Sequence, residues 1–355
     1  MIQVRRVLLG LAVAALPLFA GCSSSSTTPP PPPAQSFVYY TVDQSGTLGN
    51  AQIGLVNYPI TATSVLATTL ATTATNGLIF TQNMAFDGSG RLFVVNEGTP
   101  NTVTVFTPPL TATSNPSIVL TLPAAILGAF GIAFDSGGSL WIGDFNGDKI
   151  YQFLGPFTAS ATLAANVTMV SPPDPCGITF DASGNLWEGL DTTPNGVTEF
   201  VKGTGFTNTT VATVFLDGLA DPCSVAFDKA GNLYAGGDPP KAPKSLARHA
   251  RGHASATTVR PAIVEGDGIG FWPPANQIMG GTPTIVNSTG LLTGFFSEQI
   301  TFDAAGNLYD ADCGSTGQIY VYPTATSAWS ATLAPVLYAD TNINTADCVE
   351  GIAIH

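Results

Sequence analysis

Charge is scarce in this chain. Asp, Glu, Lys and Arg make up 10% of its 355 residues, and the basic share is the smaller, 11 Lys plus Arg against 24 Asp plus Glu, for a formal net charge of −13. Nucleic-acid binding rests on neutralising phosphates with Lys and Arg, so nucleic acid is set aside as a partner. The acidity itself implies solubility and little more. There is no G-x-S-x-G elbow, no H-E-x-x-H and no phosphate-binding glycine loop, which leaves serine-hydrolase, zincin and nucleotide chemistry without a sequence signal.

What is present is a repeat. The motif FD-x-x-G-x-L begins at Phe86, Phe134, Phe180, Phe227 and Phe302. In each copy Gly follows Asp by three residues (Gly90, Gly138, Gly184, Gly231, Gly306) and Leu by five (Leu92, Leu140, Leu186, Leu233, Leu308). A fixed motif at fixed spacing marks one supersecondary unit, copied. A short apolar strand precedes each Phe and another follows each Leu, so Asp-x-x-Gly is the hairpin between them, with Gly supplying the positive φ. A third strand (TVTVF, KIYQF, GVTEF, QIYVY) and a Thr/Ala/Val-rich fourth complete the unit. Four short antiparallel strands per unit predict an all-β chain of propeller blades.

From Asp87 the motif steps 48, 46 and 47 residues to Asp228, then 75 to Asp303. The last step is too short for two blades and predicts one blade with an insertion, about 239–296. The chain ends on GIAIH, an inner strand with no hairpin after it, while FVYYT from Phe37 and QIGLVNY from Gln52 are outer strands lacking an inner one. Joining Gly351–His355 to Phe37 through about Leu70 makes a sixth blade and removes the open sheet edge that invites aggregation. The expectation is a six-bladed β-propeller over 36–355.

The first 22 residues read differently: Arg5 and Arg6, then VLLGLAVAALPLFAGC with no acidic residue. This is an export signal rather than a membrane span. Leu18–Cys22 resembles the lipobox of bacterial lipoproteins, with Phe19 where Leu is usual. The resemblance implies a signal peptide at 1–21, lipidation of Cys22, and a cell-envelope address, at the outer membrane if the host has one. Residues 22–35, rich in Ser and Pro, would be a disordered tether. An ordinary cleaved signal ending near Ala20 is the alternative. Without Arg5 and Arg6, nine basic residues remain against 24 acidic ones.

Beyond Cys22 stand Cys176, Cys223, Cys313 and Cys348. An even count in an exported chain points to disulfides. Cys313 and Cys348 belong to neighbouring blades at the same face and can meet. Cys176 and Cys223 hold equivalent positions on adjacent inner strands, where the Cα atoms risk exceeding the roughly 7 Å a disulfide tolerates; pairing and thiol are both open. Two Cys without a nearby His make a poor zinc set.

Ligands of a propeller meet the mouth of its channel. Four residues before each Phe, or its counterpart Ile354, stand Gln82, Phe130, Cys176, Cys223, Glu298 and Glu350, with Asn83 and Gln299 one step later. Second strands end at Asn96, Asp144, Asp191, Asp238 and Asp312, and Asp174, Asp221 and Asp347 precede inner strands. So many carboxylates on one face would suit a cation. For the strand-end Asp residues, however, turn hydrogen bonds are the simpler role. Glu298 and Glu350 are stronger candidates, because a carboxylate entering a channel needs a partner. Gln82, Asn83, Asn96, Asp144, Glu298, Asp312 and Glu350 are the candidate ligand-binding residues.

The AFD-x-x-GNL-Y/W core with its Ile/Val-rich third strand resembles the NHL repeat and the six-bladed senescence marker protein and gluconolactonase superfamily, over nearly all of 78–355. That superfamily contains lactonases, lyases and non-catalytic binding modules. The lactonase resemblance implies a divalent cation (calcium, zinc or manganese) held by Glu350, opening an inner strand as Glu350-Gly351, with Asn83 and Asp144 as companions. The lyases depend on a channel histidine, whereas His249 and His253 lie in the insertion and His355 is terminal.

The insertion carries Lys241, Lys244, Arg248, Arg251 and Arg260. Such a basic loop is either a docking element for an anionic partner or a tolerated surface excursion in which SLARH, 245–249, serves as the third strand. Phe271-Trp272-Pro273-Pro274 either folds over the channel or packs. The resulting expectation is an exported, lipid-anchored, monomeric binding or scaffolding module, touching the membrane only through its anchor and receiving an unknown small molecule, glycan or envelope protein at the mouth. The alternative is a metal-dependent lactonase using Glu350.

Overall fold

In a computed structural model, the described residues are 37–44, 51–60, 64, 66–71, 77–191, 196–219, 221–237, 268–286, 297–313, 318–322, 336–339 and 347–355. They form six antiparallel sheets of four strands, one of which gains a short parallel fifth strand, Ala161–Thr162, from the next blade. Inner strands are Thr81–Phe86, Ala129–Phe134, Pro175–Phe180, Pro222–Phe227, Ser297–Phe302 and Asp347–Ile354, here blades one to six. Residues 1–34 divide from 35–355 as a separate unit. The proposed signal, Cys22 and the tether lie outside the described residues.

The sixth blade closes across the termini as expected. Asp347–Ile354 pairs with Phe37–Gln44, with Val38 opposite Ile354, and Gln52–Asn57 and Leu66–Ala71 follow outward. In blades one to five the inner strand hands over to its second strand through the Asp-x-x-Gly turn, and the five glycines hold φ between 78° and 87°, a region costly for any residue with a Cβ.

Why the repeat closes into a ring shows in its aromatics. In blades one to four the residue after the motif Leu, and in blade six its counterpart Tyr39, meets the Phe of the next blade edge-to-face: Phe93 with Phe134, Trp141 with Phe180, Trp187 with Phe227, Tyr234 with Phe302, and Tyr39 with Phe86, centroids 4.8–5.7 Å apart. Such pairs add about 0.5–1.5 kcal/mol each beyond area burial. Six apolar clusters, each shared by two adjacent blades, make up most of the core. The core is thus repeated at each blade boundary rather than grown at one centre.

One strand differs from expectation. The third strand of blade four is Gly268–Trp272, paired with Leu233–Gly237, followed by Thr284–Val286 as the fourth. Residues 245–249, expected there, lie outside the described residues, as do Asp238 and the basic stretch with His249 and His253. The register explains the choice: Trp272 lies opposite Leu233 and is fully buried among Trp187, Leu219 and Val225, an anchor that SLARH has no residue to match. Phe271-Trp272 therefore packs between blades instead of covering the channel.

Candidate functional site

Inner strands begin at the mouth and end at the Asp-x-x-Gly face. Toward that second face the channel holds a cavity of about 400 Å³ lined by Met84, Ile132, Ile178, Val225, Ile300 and Ile352 among others. Gln299 sits in the channel: its Oε1 accepts from Met84 N at 3.0 Å and Ile352 N at 2.9 Å, and its Nε2 donates to Met84 O at 2.8 Å. One side chain thus ties three inner strands together by their inward edges.

Adjacent inner strands approach closely at the mouth. A Cβ on Gly131 would collide with the Cys176 carbonyl, and one on Gly177 would reach the Cys223 carbonyl. That convergence settles the open cysteine pairing. Cys176 and Cys223 form a disulfide with Cα atoms 4.8 Å apart, well inside the distance feared, and Cys313 and Cys348 form the second at 4.3 Å. The first stitches blade three to four, the second five to six.

The ring of equivalent positions therefore divides. On blades two to four, Phe130, Cys176 and Cys223 cluster as an apolar, disulfide-sealed arc against Phe145. On blades five, six and one stand Glu298, Glu350 and Gln82, all buried. Glu298 and Glu350 present carboxylate oxygens that lie, with both sulfurs of Cys313–Cys348, within 4.8 Å of one another. Gln82 Oε1 and Asn83 Oδ1, on the strand beside Glu350, are buried with no hydrogen-bond donor.

The strand-end residues do structural work where their bonds are seen. Asn96 Oδ1 accepts from Ile79 N at 3.2 Å, and its Nδ2 donates to Val94 O and Thr104 Oγ1. Asp144 Oδ1 accepts from Leu127 N at 3.0 Å and Gly128 N at 2.9 Å. Burial outweighs these bonds and raises its carboxyl above the ordinary value. Asp144 does not join the group around Glu350; Asp312, buried at the end of its second strand, does add its charge to that side of the mouth.

Among the described residues, two fully buried acids lay outside the positions read from sequence. Glu188 and Asp310 occupy the middle of second strands, where the other blades have Val94, Ile142, Ala235 and Tyr40. Glu188 Oε1 accepts from Ser171 Oγ at 2.8 Å and Thr198 Oγ1 at 2.9 Å; burial pushes its carboxyl up to about 8 in spite of them. Asp310 ends a relay in which Gly236 N donates to Ser224 Oγ, Ser224 Oγ donates to Ser297 Oγ, and Ser297 Oγ donates to Asp310 at 2.6 Å. Burial, with the charges of Asp312 and Glu298 added, holds Asp310 well above the carboxylate range despite the Ser297 bond. The signal was visible as an acid in an apolar column of the repeat, LWEGL and LYDAD beside LFVVN and LWIGD.

No protein-family model and no curated protein matches the chain. Solved structures do. A 6-phosphogluconolactonase candidate from Bacteroides fragilis aligns with TM-score 0.54 at 13% identity, over 92% of this chain and 99% of that one. The periplasmic gluconolactonase of Pseudomonas aeruginosa aligns at 0.52 and 12%, over 88% and 85%, and a Desulfotomaculum acetoxidans protein of unknown function at 0.52 and 12%, over 89% and 88%. The chain shares the fold of the gluconolactonase-like propellers. At these identities the likeness carries fold and no activity. The two disulfides, for their part, fit an oxidising compartment.

Proposed function

We propose that the chain is an exported binding or scaffolding module, lipid-anchored through Cys22, whose partner, a small molecule, glycan or envelope protein, meets the polar arc of the mouth. The observation that carries this reading is the division of the ring: three consecutive blades offer Glu298, Glu350 and Gln82 with Asn83, while the other three are closed by Phe130 and a disulfide. Braced across two blade boundaries by disulfides, the mouth is a rigid face, and rigid faces bind at low entropic cost.

The second reading, a metal-dependent lactonase, is favoured by the meeting of Glu298 with Glu350 and by fold neighbours named for gluconolactonase. Its donor set fits in part: Glu350 and Asn83 lie on adjacent inner strands, whereas Asp144 is engaged by the amides of blade two. Thermal unfolding of the chain with disulfides intact, in chelator and then with calcium, zinc or manganese, separates the two. A binding module shows no metal-dependent rise and hydrolyses no lactone, and any ligand it does bind is lost in Glu350→Gln. A rise approaching 2.7 kcal/mol at about a hundredfold excess over the dissociation constant, abolished in Glu350→Gln and accompanied by lactone hydrolysis, would replace it with the enzyme.

A further inference from the structure

We propose that the Cys313–Cys348 bridge masks a second kind of site: once it is reduced, Cys313, Cys348, Glu298 and Glu350 form a two-thiolate, two-carboxylate site for a soft or borderline divalent cation, zinc above all. It shares the mouth of the binding reading but needs no ligand there and exists only in the reduced chain.

The geometry is the first argument. All four donor atoms lie within 4.8 Å of one another, and all four residues are buried. Around a tetrahedral zinc with bonds of about 2.3 Å to sulfur and about 2.1 Å to oxygen, donors stand roughly 3.5 Å apart. Opening the bridge lets the sulfurs separate toward that spacing, and with every donor pair already within 4.8 Å none need close by much more than about an ångström. Thiolates also select zinc over calcium and magnesium, which prefer all-oxygen shells.

Electrostatics is the second. Asp312 and Glu298 place their charges close together beside Asp310, and two new thiolates would be hard to bear there without a cation. The other bridge is a natural contrast. Cys176 and Cys223 sit among Phe130 and Phe145, and only Cys223 nears a carboxylate, its Sγ 3.7 Å from Glu298 Oε2. Apolar walls disfavour thiolates, so reduction there yields two quiet thiols.

The step balances with a dithiol as co-reactant, either a small molecule or a thiol–disulfide oxidoreductase. Its two thiols supply two electrons and two protons and close to a disulfide, while the Cys313–Cys348 bond opens to two thiols. Those thiols release both protons as the cation binds. Disulfide and metal are therefore mutually exclusive occupants.

Cobalt(II), a spectroscopic stand-in for zinc, tests this on the full chain, reduced with a phosphine and desalted without air. The expected result is one equivalent bound with thiolate-to-cobalt charge transfer and tetrahedral visible bands, displaced by zinc and absent in the oxidised chain. The Cys176→Ser/Cys223→Ser variant keeps the signal and Cys313→Ser/Cys348→Ser loses it. Glu298→Gln and Glu350→Gln each weaken binding by more than about tenfold. Charge transfer that persists without Cys313 and Cys348 overturns the proposal, as does affinity indifferent to both Glu substitutions. So does a reduced chain whose β circular dichroism is lost and not restored by zinc. Ligand binding by the oxidised protein is untouched by any of these results, so the two readings fail separately.

Discussion

The two ends of the channel obey different rules. At the turn face the same residue does the same job five times. Asp87, Asp135, Asp181, Asp228 and Asp303 each take backbone amides two and four residues on or, for Asp303, the one four on, and each spends its other oxygen on a side chain that locks the second strand. At the mouth no single residue is repeated all the way round the ring: Gln, Phe, Cys, Cys, Glu and Glu follow one another. A position repeated in register answers to folding, because every blade must make the same turn. A position that varies within a rigid ring is free of that demand and available for recognition.

The difference is sharpest on removing a carboxylate from the turn. Asp135 holds Gly137 N, Ser139 N and Trp141 Nε1, all at 2.9 Å. Asp135→Ala leaves those donors short of an acceptor and should cost about 3 kcal/mol, read as a lowered denaturant midpoint with an unchanged slope. A loss below about 0.5 kcal/mol would mean that the glycine alone makes the turn.

The buried acids of the blade interiors set the opposite slope in pH. At the turn face burial acts to raise Asp135, but the Trp141 and Ser139 bonds prevail and its carboxyl lies below the ordinary value, so its stabilisation is present above the unfolded pKa and fades as pH falls through the folded one. Glu188 runs the other way. Its folded value is about 8 against an ordinary 4.5, so the unfolded chain releases the proton first and stability falls from about pH 4.5 to about pH 8, by roughly 1.4 kcal/mol per unit for this one group. Glu188→Gln should flatten that decline, leaving the share due to Asp310. Superimposable stability profiles for wild type and variant from pH 5 to 8 would show that Glu188 ionises in the fold without penalty.

The contrast also explains what could be read in advance. The six blades, the turn glycines and the closure of Gly351–His355 onto the N-terminal strands from Phe37 were legible because the same local physics is written five times. The third strand of blade four was not, since GIGFW is poor in β-branched residues and only its register against Leu233–Gly237 reveals Trp272 as an anchor. The Cys176–Cys223 bridge stayed open because its feasibility depends on how closely neighbouring inner strands converge, and Gly177, with no Cβ, is what lets the Cys223 carbonyl come close across the blade boundary. Glu188 and Asp310 lie mid-strand, away from the strand ends that face the mouth, and only their acid in an otherwise apolar column of the repeat marks them.

The smallest effect tests whether the turn face is as interchangeable as its regularity implies. Three blades place Asn four residues after the Asp, and Asn185, Asn232 and Asn307 donate Nδ2 to that Asp at 3.0, 2.7 and 2.7 Å. Blade one has Arg91, whose Nε and Nη2 reach Asp87 at 2.8 and 2.7 Å and whose Nη1 donates to Phe157 O at 2.6 Å. Arg91→Asn keeps a donor for Asp87 and gives up the bond to Phe157, a partly buried ion pair and the stacking of the guanidinium on Phe93, 5.4 Å from its centroid. Asp87 keeps its two backbone amides and gains an Asn donor, and an ion pair that still reaches solvent is worth about 1 kcal/mol at most, so the substitution should change stability by about 1 kcal/mol, well under the loss in Asp135→Ala. A cost equal to that of the Asp135 variant would mean that blade one is held by its contact with Phe157 of blade two rather than by its own turn, and that the blades are not interchangeable even where their sequences agree.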